Sequence, residues 1–174
     1  LSVPALAASD STDNFVRSRA YAGQFSDVTT ASVFYDNVAA LYEYGLSQGK
    51  PDGTFGVGEE ITRSQFVTVL CRMFGWDMVS PASPSYIDCP SSAWYYSAVE
   101  TARAHNVMDA SGAFRPDDYI TRSEMAVMLI RSLGYGDLAA ELEDVDLPFP
   151  DVTEDRGAIA MAYDFGIING VPSG

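Results

Sequence analysis

The chain has 174 residues, 47% hydrophobic and 20% charged, with a formal net charge of −14. That is enough apolar content to bury a core and excludes a disordered chain. Lys50 is the only lysine, so the basic footprint that nucleic acid or an anionic lipid surface requires is missing. No run of about 18 apolar residues is available to span a membrane.

Residues 1–24 read as a leader or N-terminal arm. The opening LSVPALAASDST lacks Met and carries Ala5-Leu6-Ala7 at the end of an apolar stretch, as the tail of a secretory signal peptide does. The other reading is a hydrophobic arm that packs on the domain. Export is the favoured one.

From residue 25 the chain repeats itself. Phe25-Ser26-Asp27-Val28 aligns with Tyr86-Ile87-Asp88-Cys89 at an offset of 61 (86 minus 25), and the same offset pairs Phe34-Tyr35 with Tyr95-Tyr96 and Val38 with Val99. ITRSQFVTVLCRMFG from residue 61 aligns with ITRSEMAVMLIRSLG from residue 120, an offset of 59 (120 minus 61). The difference falls in one loop, KPDGTF against SGAF, where length changes are tolerated. A third copy opens at Phe149-Pro150-Asp151-Val152, and Gly166-Ile167 in it matches Gly45-Leu46. The sequence given stops before any third Ile-Thr-Arg segment. The organisation is therefore read as repeat 1 over 25–80, repeat 2 over 86–136, an acidic linker over 137–148, and the first half of repeat 3 over 149–174.

Each copy reads as two helices joined by a loop. In the first, Val38, Leu41, Tyr42 and Leu46 fall at near 3.6 spacing, and Gly45 or Gly49 can close it. Pro51 and Gly53 suit the turn that follows. The second helix starts at Thr62 or Thr121, with Phe66, Val69, Leu70 and Met73, or Met125, Met128, Leu129 and Leu133, as its apolar positions. Phe66, Leu70, Met125 and Leu129 are expected to be buried. In the half copy, Ile159, Ala162, Tyr163 and Ile167 are to be buried, the helix docking on the other copies and leaving an apolar patch that promotes dimerisation. One helix pair cannot cover its own apolar faces, so the copies must pack on each other. The fold class expected is all-α.

Thr62 with Gln65, and Thr121 with Glu124, each match a capping box, and Ile61–Phe66 and Ile120–Met125 match the hydrophobic staple. Only the arginine is left unexplained. Arg63 and Arg122 stand at the first helical position, where the dipole disfavours a cation. Two readings stand level on residue chemistry: an anion held by guanidinium and helix N–H groups, or an ion pair with Asp27, Asp88 or Asp151.

The stretches FSDV…FYDNVAALYEYGLSQGKPDGTFGVGEEITRSQF and YIDC…WYYSAVETARAHNVMDASGAFRPDDYITRSEM resemble surface-layer homology (SLH) repeats, over roughly residues 25 to 174. The resemblance implies three repeats packed as a pseudo-threefold prism that anchors bacterial surface proteins to cell-wall polysaccharide. It implies that Arg63 and Arg122, with Thr62, Thr121, Gln65 and Glu124 beside them and Trp94 and Tyr95 as groove-lining aromatics, contact an acidic, often pyruvylated, sugar between repeats. Departures are Gln65 for the family's acid, Val33 where copy two has Trp94, and Val57 where copy two has Pro116. No cofactor or metal is expected, and no enzyme activity. GLSQG over 45–49 fits a nucleophile elbow only formally, because it lies at a helix end, and His105 is the only histidine. A helical module for protein–protein assembly and an accessory module of a wall enzyme remain as alternatives. Cys71 is expected to be a buried thiol, a disulfide with Cys89 being the other option.

Overall fold

The computed structural model describes residues 15–109 and 112–170. Expectations for residues 1–14, the leader among them, lie outside the described residues. The chain is helical, with no strand among the described residues beyond an isolated bridge between Thr62 and Tyr119. It divides into two compact units, 1–59 and 60–174.

In the first unit, α1 (Tyr35–Glu43) follows a loop that buries Phe25 and Val28 against Val38, with Tyr21, Tyr42 and Phe55 packed around them. The preceding segment lies along the end of α1. Phe15 meets the Tyr44 ring edge-on at 5.7 Å, Arg17 pairs with Glu43 at 3.2 Å, and the Ser18 N–H donates to the Glu43 carbonyl. The Asp27 carboxylate accepts the N–H groups of Phe55, Gly56 and Val57 at 2.7, 2.8 and 3.1 Å, and these bonds hold it below the usual carboxylate range. Asp27 is thus a clasp that ties the start of the repeat to its turn. Asp88 does the same for Phe114 and Arg115.

The second unit holds α2 (Arg63–Phe74), α3 (Tyr96–Ala104), α4 (Arg122–Ser132), α5 (Gly136–Glu141) and α6 (Arg156–Asp164). Thr62 and Thr121 are the N-caps of α2 and α4, and both capping boxes are formed. The pairing is offset by one copy. α2, the second helix of copy one, packs on α3, the first helix of copy two; α4 packs likewise on α6 of copy three. Two cores result. One joins Val67, Leu70 and Cys71 of α2 to Ala98, Val99 and Ala102 of α3. The other joins Ala126, Val127 and Ile130 of α4 to Ala158, Ile159 and Ala162 of α6.

Both second helices are turned by about one residue from the expected face, roughly 100°. Leu70 is buried as expected, but Phe66, Met125 and Leu129 are half-buried, and Val67, Cys71, Ala126 and Ile130 take the interior. Cys71 and Ala126 on this face, with Ala98, Ala102, Ala158 and Ala162 opposite, let the helices approach, whereas the bulkier Phe66 and Met125 stay half-buried at its edge. The acidic connector expected over 137–148 carries α5, whose Ala139 is buried against α6. A Cβ on Gly157 would stand 1.9 Å from the Ala139 carbonyl oxygen, so only glycine allows this approach. Ile159 and Ala162 of α6 are buried, but Tyr163 near its end and Ile167 just beyond it remain exposed. Both cysteines are buried free thiols. Cys71 Sγ donates to the Ala98 carbonyl, and burial pushes the two thiols up to about 11 and about 12.

Candidate inter-repeat binding site

The offset pairing brings the start of α2 onto the turn of copy two. The backbone N–H groups of Arg63 and Ser64 donate to the carbonyls of Asp118 and Pro116 at 2.9 and 3.1 Å. Two donors that a free helix N-terminus would offer to an anion are therefore already engaged. The Arg63 side chain follows them in and is 8% exposed. Its Nε donates to the Phe114 carbonyl at 2.8 Å, its Nη1 meets Glu124 Oε1 at 2.5 Å, and its guanidinium lies over the Phe114 ring at 5.1 Å. The ion-pair partner of Arg63 is thus Glu124, not one of the three repeat-start aspartates.

Glu124 serves three neighbours at once. Its Oε2 closes the capping box by accepting the Thr121 N–H, while its Oε1 receives Arg63 and Arg115 Nη2. Burial opposes its ionisation, but the Thr121 N–H and the two guanidiniums outweigh this and hold the carboxyl below its ordinary value. Burial also lowers the Arg63 pKa, against the pull of Glu124. The guanidinium stays protonated at any physiological pH, so the pair is ionic.

A cavity of about 330 Å³ opens beside this cluster. Arg63, Arg115 and Arg131 line it together with Asp109, Glu124 and Asp155. Arg131 pairs with Asp109 at 3.2 Å. Two of these residues, Arg115 (φ 60°) and Asp155 (φ 52°), hold left-handed backbone conformations that side chains disfavour. Gly56 stands at the Arg115 position in copy one, with φ 92°. Copy two keeps a strained arginine where copy one uses glycine, and strain of this kind clusters at functional sites. Arg115, Arg131 and Asp109 escaped the sequence reading; the Gly56-to-Arg115 exchange in the repeat alignment was the available signal.

Arg122 behaves differently. It is exposed, donates from Nη2 to the Asn169 carbonyl at 2.7 Å, and lines a second cavity of about 120 Å³ with Phe149, Asp151 and Ile168. Thr62, Thr121 and Gln65 act in the caps. Trp94 is 67% exposed and stands edge-on to Tyr95, which is 9% exposed in the first core; neither lines the two cavities. Ser47 accepts the Gly49 N–H, and His105 ends α3 stacked on Trp76 at 4.0 Å.

Among the described residues no helix is long and apolar enough to cross a membrane. The family model of the S-layer homology domain matches residues 24–67, 86–126 and 148–174. The chain is 26% identical over 153 residues to a cell surface protein of Thermoanaerobacter kivui, which covers 84% of this chain and 18% of that protein. It is 32% identical over 132 residues to cell surface glycoprotein 1 of Acetivibrio thermocellus, covering 69% of this chain and 6% of that one. An endoglucanase of a Bacillus species is 27% identical over 167 residues, 92% of this chain and 17% of the enzyme. The chain therefore spans less than a fifth of the length of these relatives. With its match to the family model running through all three copies, the chain belongs to the S-layer homology domain family, a non-catalytic anchoring module of the bacterial cell surface.

Proposed function

We propose that the chain retains an acidic, carboxylate-bearing polysaccharide of the cell wall, of which a pyruvylated sugar is one form, at the junctions between copies. The observation that supports this is the cavity lined by Arg63, Arg115 and Arg131, in which two guanidiniums already share one carboxylate, Glu124. A ligand carboxylate entering there meets Arg63, held in place by packing, and the guanidiniums of Arg115 and Arg131, whose ion pairs with Glu124 and Asp109 it would share or replace. Arg122 supplies the exposed guanidinium at the next junction, and the open face of Trp94 offers a stacking surface for a sugar ring, with Tyr95 holding the indole edge-on. The caps at Thr62, Gln65 and Thr121 set the helix starts that aim these arginines. The net charge of −14 repels an acidic polymer, but screening beyond about 8 Å confines that repulsion, so recognition is local.

Calorimetry with a pyruvylated wall oligosaccharide and its uncharged counterpart tests this reading. Arg115→Ala and Arg122→Ala each should weaken binding by more than about tenfold, as loss of a charged partner does. Equal affinity for the uncharged sugar would sink it. The endoglucanase relative favours a second reading, in which this anchor serves as the accessory module of a wall enzyme.

A further inference from the structure

The connectors that follow α2 and α4 differ in length and in form. Trp76 and Tyr135 mark equivalent points in them, each after a left-handed glycine at the end of a second helix, Gly75 or Gly134. Each ring meets the aromatic residue that ends the next copy's first helix, His105 at 4.0 Å or Phe165 at 5.4 Å. From Trp76 to Tyr86 the chain advances 10 residues (86 minus 76) without a helix, whereas from Tyr135 to Phe149 it advances 14 (149 minus 135) and folds α5. The seat for α5 is built into α6. Its second residue is Gly157, which admits the Ala139 carbonyl; α1 and α3 have Asp36 and Ser97 at that position.

Seated through Ala139, α5 leaves a stripe of larger apolar residues in solvent. Tyr135, Leu138 and Leu142 recur at helical spacing and are 40%, 46% and 36% exposed, and Phe165, against which Tyr135 packs, is 49% exposed. One exposed leucine is ordinary, but a contiguous apolar patch on an added helix marks an interaction surface. Its surroundings are acidic. Asp137, Glu141, Asp144 and Asp146 are exposed, and the chain holds no Lys, Arg or His from Ser132 to Asp155. The flanking cations are engaged elsewhere: Arg131 pairs with Asp109, and Arg156 donates to the carbonyls of Val145 and Val152.

We propose that α5 and the end of α6 form a docking surface for a cationic, apolar segment of another protein. Its apolar side chains cover Tyr135, Leu138, Leu142 and Phe165, and its Lys or Arg side chains meet the surrounding carboxylates. Charge selects this occupant. A second copy of the chain would bring the same carboxylates face to face, in a protein with 24 acidic and 10 basic residues, and an acidic glycan is repelled by the same rim.

The probe is a short amphipathic peptide of leucine and lysine, titrated calorimetrically into the whole chain, with a leucine and glutamate peptide of the same pattern as control. The lysine peptide should bind saturably and more weakly as salt is raised, and the glutamate peptide should not bind. Leu138→Ser combined with Leu142→Ser should weaken binding at least about tenfold, as the loss of two buried leucines does. Asp137→Asn combined with Glu141→Gln should weaken it about threefold and flatten the salt dependence. Met78→Ser removes an apolar side chain of similar exposure, 47%, from the other connector and should change nothing. No binding up to about 1 mM peptide overturns the proposal. So does binding that the leucine variant leaves intact, which would be attraction to net charge alone, or binding that Met78→Ser weakens as much. A dimer of the chain alone that the leucine variant dissolves overturns it too, because a second copy would then cover the patch.

Discussion

Arg63 and Arg122 open homologous helices behind the same threonine cap, yet their surroundings have little in common. Arg63 is buried, bonded to a carbonyl 51 residues away and paired with Glu124. Arg122 is exposed and bonded to one carbonyl near the end of the described chain. The difference comes from what each helix start docks on. α2 meets a complete turn of copy two, with Phe114, Arg115 and the glutamate that caps α4. α4 docks instead on copy three, where the Arg122 guanidinium meets the Asn169 carbonyl. Arg63 is therefore built into the fold by its carbonyl and its ion pair, whereas Arg122 is held by one carbonyl and stays exposed.

Stability measurements should separate the two arginines. Arg63→Ala leaves Glu124 without its most buried partner and should cost about 3 kcal/mol, the low end for a broken buried pair because Glu124 is still 27% exposed. Chemical denaturation reads this directly, and a loss below that of Thr121→Ala would refute a structural role. Glu124→Gln comes next. It keeps the cap acceptor but loses the charge shared by two guanidiniums, about 2 kcal/mol at pH 7.

The pH dependence of that loss has a definite sign. The folded carboxyl titrates below its unfolded value of about 4.3, so its contribution is complete above that pH and fades as pH falls through the lower folded value. Wild type and Glu124→Gln should thus converge in acid and separate on raising the pH through about 4. A gap that persists unchanged at low pH would mean that amide geometry, not charge, is at work. Thr62→Ala and Thr121→Ala should each cost about 1 kcal/mol, since both remove one cap acceptor. Arg122→Ala should move stability by no more than about 0.5 kcal/mol, as a surface change does. A melting temperature lowered as far as by Arg63→Ala would erase the contrast between the two arginines.

The contrast also marks what could be read before folding. The helix starts were legible because a capping box joins residues three apart, and such contacts form in any chain with that spelling. The buried state of Cys71 followed from its alignment with Ile130. The orientation of the second helices was missed by one position, because apolar residues flank the true face on both sides and only the partner helix chooses between them. Arg115 was not legible, because its contacts arise at a position where the copies differ, Gly56 in one and Arg115 in the other.

The sequence by itself determined the repeat, the all-helical class, the caps and the two residues most in need of explanation. Those features rest on periodicity and on contacts within one turn of chain. Tertiary structure alone decided which copy covers which. It put Glu124 beside Arg63, a residue 61 positions away, and drew Arg115 and Arg131 into the same cavity. An arginine at a helix start can reach a carboxylate on any neighbouring element, and local spelling cannot rank those neighbours. Only the offset pairing of helices, driven by burial of small apolar faces, selects one of them.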